Sequence, residues 1–499
     1  MDNGNRRHDI GGGSPAHDVE ELHTAPLVRG GGEPRHASYP PQGHTSYPPQ
    51  MGRTSGPMPP MPAHVAASQV NSAPDLAPYA PQHLPPRPTT IAETELEVPV
   101  LAELALKHVV NAGVITGGDL AQRLHLPLAG VVEEAINALR RESLVEHVSA
   151  SATLLGAAGM KLRPTDRGTQ ADRINREKNG YVGPAPVSVR AYERMLRLQA
   201  ISERTVKRAD VWRRLSHLVL PDETIDGLGA GLGSGGPIFL HGHSGNGKTS
   251  IGVSIPRMFG GGILVPHAVQ IDGHIMRVFD PSMHQPLPLD AAASGAKIDE
   301  RWVYCQVPSL RAGVDLKMHQ LELHFNEQHH YYDCPIQLKA AGGVLLVDDL
   351  GGQQYTPEEL LNRMLAPLAT GADYLTAVSG RQIPLPFTTL LVFATAKEPG
   401  KILSEALLRR LPCKLLVPDP TEEQYRELMR RACQSANIEM TTTGFDYVID
   451  RCYIRGNRSA RACHPVELVR LIGATARYYG VAPALTPQLI DMAAELYFV

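Results

Sequence analysis

Two short stretches hold residues whose types and spacing can do chemistry together. The first, "HGHSGNGKTS", runs from His241 to Ser250. Gly242, Gly247, Lys248 and Thr249 have the spacing G-x-x-x-x-G-K-[ST], with His243, Ser244, Gly245 and Asn246 between and Ser250 following. Glycines let such a loop curl until its N–H groups face an anion. The lysine of the motif reaches the outer phosphates of a nucleotide, and the hydroxyl after it binds Mg²⁺. The second stretch, "VLLVDD", comes about a hundred residues later, and Val344 to Val347 form an apolar run that ends at Asp348 and Asp349. In a phosphate-transfer site Asp348 would hold Mg²⁺ through water, and Asp349 would activate the attacking water. A plain turn after a strand also favours Asp and Gly, but the phosphate loop upstream makes the chemical reading the stronger one.

These residues need a scaffold that brings positions a hundred residues apart together. "GGPIFL" before the loop reads as a buried strand, and "KTSIGVSI" after it opens a helix whose N-terminus adds positive charge. A continuous apolar run such as "VLLV" fits a central parallel strand. The expected core is therefore an α/β parallel sheet flanked by helices, over 182–418, with a helical unit over 419–499. "TEEQYRELMRRAC" starts that unit with a T-x-x-Q capping box at Thr421 and Gln424.

The N-terminal part differs in composition. Of the 42 prolines, 17 fall within the first 90 residues, and "SYPPQ" occurs twice, at Ser38–Gln42 and Ser46–Gln50. Too few large aliphatics are present there to offset chain entropy, so 1–90 reads as a disordered Pro/Gly-rich tail. "LPPRP" (Leu84–Pro88) has the form of a polyproline ligand, although a linker is the simpler reading. Residues 91–180 follow the order helix, helix, helix, hairpin of a winged helix. "VPVLAELALKHVVNAG" supplies the first helix, and two more are broken at Leu126-Pro127. "TLLGAAGMKLRP" reads as two strands with a glycine-rich turn, followed by a further helix. Residues 93–180 carry 12 acidic and 10 basic side chains, and Glu133 and Glu134 open the third helix. Protein contact is therefore favoured over DNA binding for this module.

The formal net charge of −3 gives no sign of an overall nucleic-acid or membrane binder. The six cysteines form no C-x-x-C pair and read as free thiols of a reducing compartment. The N-terminus lacks an apolar signal region, and no apolar run approaches the ~20 residues of a membrane span. A cytoplasmic protein is expected. "VQIDGHIMRVFDP" alternates like a hairpin. His329 and His330 lack ligand partners at metal-site spacing, and Tyr331 and Tyr332 suit either a substrate-facing loop or the core.

The order of phosphate loop, "VLLVDD", "TLLVFATAKEP", "SEALLRRLPCKLLVPDPTEEQYREL" and a helical C-terminus resembles that of the AAA+ ATPases, over about 182–499. "YVGPAPVSV", "LLNRMLAPL" and "ACHPVELVRLI" resemble more narrowly a bacterial group that joins a winged helix to an AAA+ core. That group is described as chaperone-like ATPases associated with Flp pilus assembly. The resemblance implies a P-loop NTPase that uses ATP and Mg²⁺ to remodel a protein partner, with the helical unit as a lid and a homo-oligomeric ring, a hexamer, as the working form. It also implies an arginine finger in "LLRRLP", where Arg410 is the better candidate and Arg409 the reserve. A basic helix end complementing the helix dipole is the alternative for that pair. Two positions depart from the pattern. Ala396 stands where the family carries a polar residue, commonly Asn, that places the attacking water. Val466 stands where a lid arginine is usual, and Arg461 or Arg458 is the candidate replacement. ATP binding with slow or tightly gated turnover follows. An ATP-controlled DNA-binding regulator and a nucleotide-held scaffold are the other readings.

Overall fold

Leu84–Thr90, read from the sequence as the end of the tail, is where the described chain begins. The computed structural model describes residues 84–148, 156–289 and 297–498. Residues 1–83, with both "SYPPQ" copies, lie outside them. The described residues cluster as one compact unit. The "LPPRP" backbone is paired: Arg87 N donates to Lys297 O at 2.9 Å, and Asp299 N donates to Pro85 O at 3.0 Å. Arg87 supplies the amide that the flanking prolines lack, and Leu84 packs on the central core. The order therefore reaches further upstream than composition indicates.

The next segment folds as helix Val98–Ala112, β1 (Ile115–Thr116), helices Gly117–Leu124 and Glu133–Arg141, β2 (Val145–His147), β3 (Lys161–Pro164) and helix Asp166–Lys178. The strands pair antiparallel in the order β1-β3-β2. Leu101, Ala105 and Val109 recur at helical spacing and are buried with Leu120, Leu124, Ile136 and Leu162. The first hairpin strand lies in "LVEHV", before the stretch expected from sequence. Its apolar Val145 faces the core while Glu146 pairs with Arg163 across the hairpin. The intervening residues 149–155 lie outside the described part.

A short strand, β4 (Val187–Ser188), leads through helices Val189–Leu198, Arg208–Leu215 and Asp222–Gly233 to β5 (Ile238–His241) and helix Lys248–Ser254. Then come β6 (Gly262–Pro266), β7 (Ala268–Ile271), β8 (His274–Arg277), β9 (Trp302–Gln306) and β10 (Ser309–Ala312). β11 (His324–Asn326), β12 (Tyr331–Asp333) and β13 (Val344–Val347) follow, then helix Pro357–Thr370 and the hairpin β14 (Ala372–Thr376) and β15 (Gln382–Pro386). β16 (Leu390–Thr395), helix Glu405–Arg409 and β17 (Cys413–Leu416) complete the α/β part.

Five of these strands make one parallel sheet, in the order β10-β13-β16-β5-β17. Its central strands β13 and β16 are buried at every position because both faces are covered. Val344 and Leu346 enter one core with Val392 and Leu240, while Leu345 and Val347 enter another with Phe393 and Phe239. The period-2 alternation thus divides one strand between two cores. β5, β13 and β16 all end at the same edge of the sheet, so the loop at Gly242 and the pair Asp348-Asp349 are brought together by strand order alone.

A second sheet, β11-β12-β8-β7-β4, is assembled from three separate segments of the chain. β7 and β8 form the expected hairpin, turning at Asp272-Gly273 with both residues at positive φ. Ala268 and Ile275 of this hairpin are buried in the same core as the N-terminal helices. Tyr332 is fully buried, and its hydroxyl accepts from Val378 N at the tip of β14–β15 (3.0 Å). Tyr331 is half-buried, edge-on to Tyr181.

Arg301 fastens this region. Its side chain and that of Asp299 are both 4% exposed, with Nη2 on Asp299 Oδ2 at 2.7 Å. Nη1 donates to Thr94 O and Pro186 O, at 3.2 and 3.0 Å. Arg301→Ala leaves a buried carboxylate and two carbonyls without this donor. The expected loss is about 3–5 kcal/mol of unfolding free energy, read by urea denaturation; a loss below about 1 kcal/mol would fit an exposed pair and not a buried one.

The C-terminal helices Glu422–Ser435, Thr442–Ile449, His464–Tyr479 and Pro487–Tyr497 enclose their own core, which includes Tyr425, Phe445, Val448, Ile472 and Ile490. Thr421 caps the first of them: Thr421 N donates to Gln424 Oε1 and Gln424 N to Thr421 Oγ1, as the capping box requires.

Candidate functional site

The loop between β5 and helix Lys248–Ser254 curls through Gly242, Gly245 and Gly247, all at positive φ. At Gly242 a Cβ would lie 2.3 Å from Val417 O, so only glycine allows the loop to pass β17 this closely. Lys248 is buried, and its ammonium donates to Gly242 O and His243 O, each at 2.8 Å. Burial lowers its pKa, while the nearby charges of Asp348 and Asp349 pull the other way. Ser244 and Ser250 are exposed on either side.

The two acidic residues differ in setting. Asp348 is 2% exposed, directly after β13. Its Oδ2 accepts from Thr249 Oγ1 at 2.8 Å, across 99 residues of sequence. The same oxygen lies 2.9 Å from Arg311 Nη2 on the neighbouring strand β10. Asp348 Oδ1 accepts from Asp349 N at 3.1 Å. Asp349 is exposed and sits at φ 50°, a left-handed conformation that only Asn, Asp and Gly adopt readily. Gln353 braces this turn by donating to Asp348 O and accepting from Gly351 N.

A hydroxyl and a carboxylate that already touch form the hard oxygen pair that suits Mg²⁺. Among the described residues no group of three or more His, Cys, Asp or Glu side chains is placed to hold a metal, so a cation at Thr249 and Asp348 would take its remaining ligands from phosphate and water. His329 stacks on Tyr331, and His330 packs edge-on to Phe325.

The C-terminal helical unit and the link before it reach this loop. Asn246 is buried; its Nδ2 donates to Asp419 Oδ1 at 2.7 Å, and its Oδ1 accepts from Ala462 N at 3.2 Å. His243 Nδ1 is 3.0 Å from Asp419 Oδ1, and Arg461 Nη1 is 2.7 Å from the same ring nitrogen and also paired with Asp419. Arg461 is therefore at the loop, whereas Arg458 lies over the Phe498 ring, 4.4 Å from its centre. Val466 is 57% exposed. Ala396 is exposed just beyond β16, and the Thr395 hydroxyl beside it is spent on Leu350 O at 2.9 Å.

Arg410 is exposed after helix Glu405–Arg409 and donates to Asn362 Oδ1 at 3.4 Å. Arg409, at the helix end, is exposed as well. The carbonyls at that helix end are taken by another residue, since Lys414 Nζ donates to Leu408 O and Leu411 O.

Sequence reasoning missed Arg311, Asp419, Gln353 and the side-chain role of Asn246. For Arg311 the only available signal was an arginine on the strand before "VLLVDD". For Asp419 it was a carboxylate next to the Thr421 cap of the C-terminal helices.

Strand, glycine loop and helix, with an aspartate from a parallel strand bonded to the loop threonine, define a P-loop nucleotide-binding fold. A family model described as a domain of unknown function (DUF8689) matches residues 421–496, the C-terminal helices. No curated protein matches the chain. Among solved structures, NtrX from Brucella abortus in complex with ATP is similar at 14% identity and a TM-score of 0.35, over 58% of this chain and 60% of that one. The same protein in complex with ADP is similar at 14% and 0.33, over 75% and 69%. The RuvB Holliday junction branch migration motor of Thermotoga maritima is similar at 15% and 0.29, over 60% and 73%. The chain spans half of one NtrX chain and 60% of another. Likeness this distant adds nothing to what the loop and sheet order establish. No helix among the described residues is long and apolar enough to cross a membrane.

Proposed function

We propose that this chain is an AAA+ ATPase that hydrolyses ATP to ADP and phosphate and uses the cycle to remodel a protein partner in the cytoplasm. The observation that carries the reading is the Thr249–Asp348 bond beside the buried Lys248. The loop amides and Lys248 bind the phosphates, and Thr249 and Asp348 would hold Mg²⁺, which would supply a Lewis acid to the γ-phosphate. Asp349, exposed at the rim, takes the proton of the attacking water. Arg461 approaches from the lid, and Arg410 of a neighbouring copy offsets the charge that develops on the phosphoryl group.

The N-terminal module reads best as a winged helix used for protein contact. Its helix Glu133–Arg141 begins with two acidic residues, which suits a protein surface better than a phosphate backbone. The resemblance to the Flp-associated group supports a chaperone-like role, with a homo-oligomeric ring as the working form.

Slow turnover follows from the exposed Ala396, which offers no donor to the attacking water. Ala396→Asn is expected to raise steady-state phosphate release by up to about 10²-fold, the scale of one positioning donor. Equal rates for the two proteins would refute the gating role of this position, and no phosphate release by the wild type under any condition would favour a nucleotide-held scaffold.

A further inference from the structure

Asp419 lies in the short link between β17 and the lid helix that Thr421 caps, the one stretch of chain that must pass from sheet to lid. Its carboxylate gathers donors from both sides of that crossing: Asn246 and His243 from the phosphate loop, and Arg461 from the lid. Burial opposes its ionisation, but these three donors hold its pKa below the ordinary carboxylate value. The lid turn is also in direct contact with the loop. Ala462 N bonds Asn246, and a Cβ at Gly245 would come within 2.4 Å of Cys463 Sγ.

The guanidinium of Arg461 is only partly used. Nη1 serves Asp419, while Nε and Nη2 have no protein partner among the described residues, although the side chain is only 22% exposed. Five N–H groups in a fixed plane match phosphate oxygens when one edge is already anchored.

We propose that Asp419 is a positioning residue that anchors Arg461 over the phosphate loop, so that the free edge of the guanidinium meets the phosphates of a bound nucleotide. The inference rests on the nucleotide-binding reading above and adds the element that sets where the lid cation stands. Without the Asp419 carboxylate the arginine keeps its charge but loses its fixed direction, while an asparagine oxygen at this position still accepts from Asn246.

The test is a double-mutant cycle on the full chain, with fluorescent ATP and ADP titrated onto wild type, Asp419→Asn, Arg461→Ala and the double variant. Each single change should weaken ATP binding about tenfold, the scale of a hydrogen bond to a charged group. The double variant should bind no more weakly than Arg461→Ala. Thermal melting without nucleotide is measured on all four, because a merely structural Asp419 would lower the melting temperature and give additive losses in affinity. Additive losses, or wild-type affinity in Asp419→Asn beside a weakened Arg461→Ala, overturn the anchor and leave the nucleotide-binding reading standing. A wild type that binds neither nucleotide overturns both.

Discussion

Arg410→Ala is expected to lower phosphate release by about 10³-fold or more, the scale of a missing arginine finger, while nucleotide affinity changes little. The structure gives this residue no task of its own in the fold. The carbonyls it would otherwise serve at the helix end are held by Lys414, and its side-chain hydrogen bond among the described residues, to Asn362, is long at 3.4 Å. A cation held so loosely at the surface is available to a second copy. The measurement that separates this from a local effect is mixing. Arg410→Ala carries an intact phosphate loop, and Lys248→Ala carries an intact Arg410. Combined in one assembly they restore some interfaces with both parts present, so the mixture should exceed either variant alone. A rate unchanged in Arg410→Ala, or a lost rate that mixing never restores, refutes action between copies and turns attention to Arg409.

The second large effect is expected at Asp349. Asp349→Asn should cut turnover by about 10³-fold, within the range for loss of a positioned base, and leave ATP binding intact. Asparagine is the appropriate replacement because the backbone at this position has φ 50°, which Asn tolerates as well as Asp does. Alanine would add strain and confuse the result. The bond between Thr249 and Asp348 is untouched by the change, so metal-dependent binding should persist. Turnover equal to that of wild type in Asp349→Asn would remove it from the chemistry and support the scaffold reading. If the chain remodels a protein partner as proposed, a variant that binds ATP but does not release phosphate would hold that partner longer, which makes it the bait of choice for recovering it.

Much of the site was legible because it is local. Gly242 to Thr249 lie within one turn, the "VLLV" run announces its own burial, and the Thr421–Gln424 box is a four-residue pattern. What escaped reading depends on register between distant strands. Arg311 meets Asp348 only because β10 lies beside β13 with Arg311 opposite Leu346, and nothing in either stretch encodes that pairing. Asp419 gains its meaning from a loop more than 170 residues earlier. The first hairpin strand of the N-terminal module was misplaced for a related reason. "LVEHV" is too short for alternation to be distinctive, whereas the partner strand and its turn residues drew the reading downstream.

The three-segment sheet bears on how such a chain can be divided or recombined. β4 precedes helix Val189–Leu198, β7 and β8 follow the phosphate-loop helix, and β11 and β12 come after β10. Because Ala268 and Ile275 complete the core beneath the N-terminal helices, that module carries its own foundation inside the sequence of its neighbour. A cut before Val189 would bare apolar surface on both pieces. An exchange of the front module would therefore have to carry β7 and β8 with it.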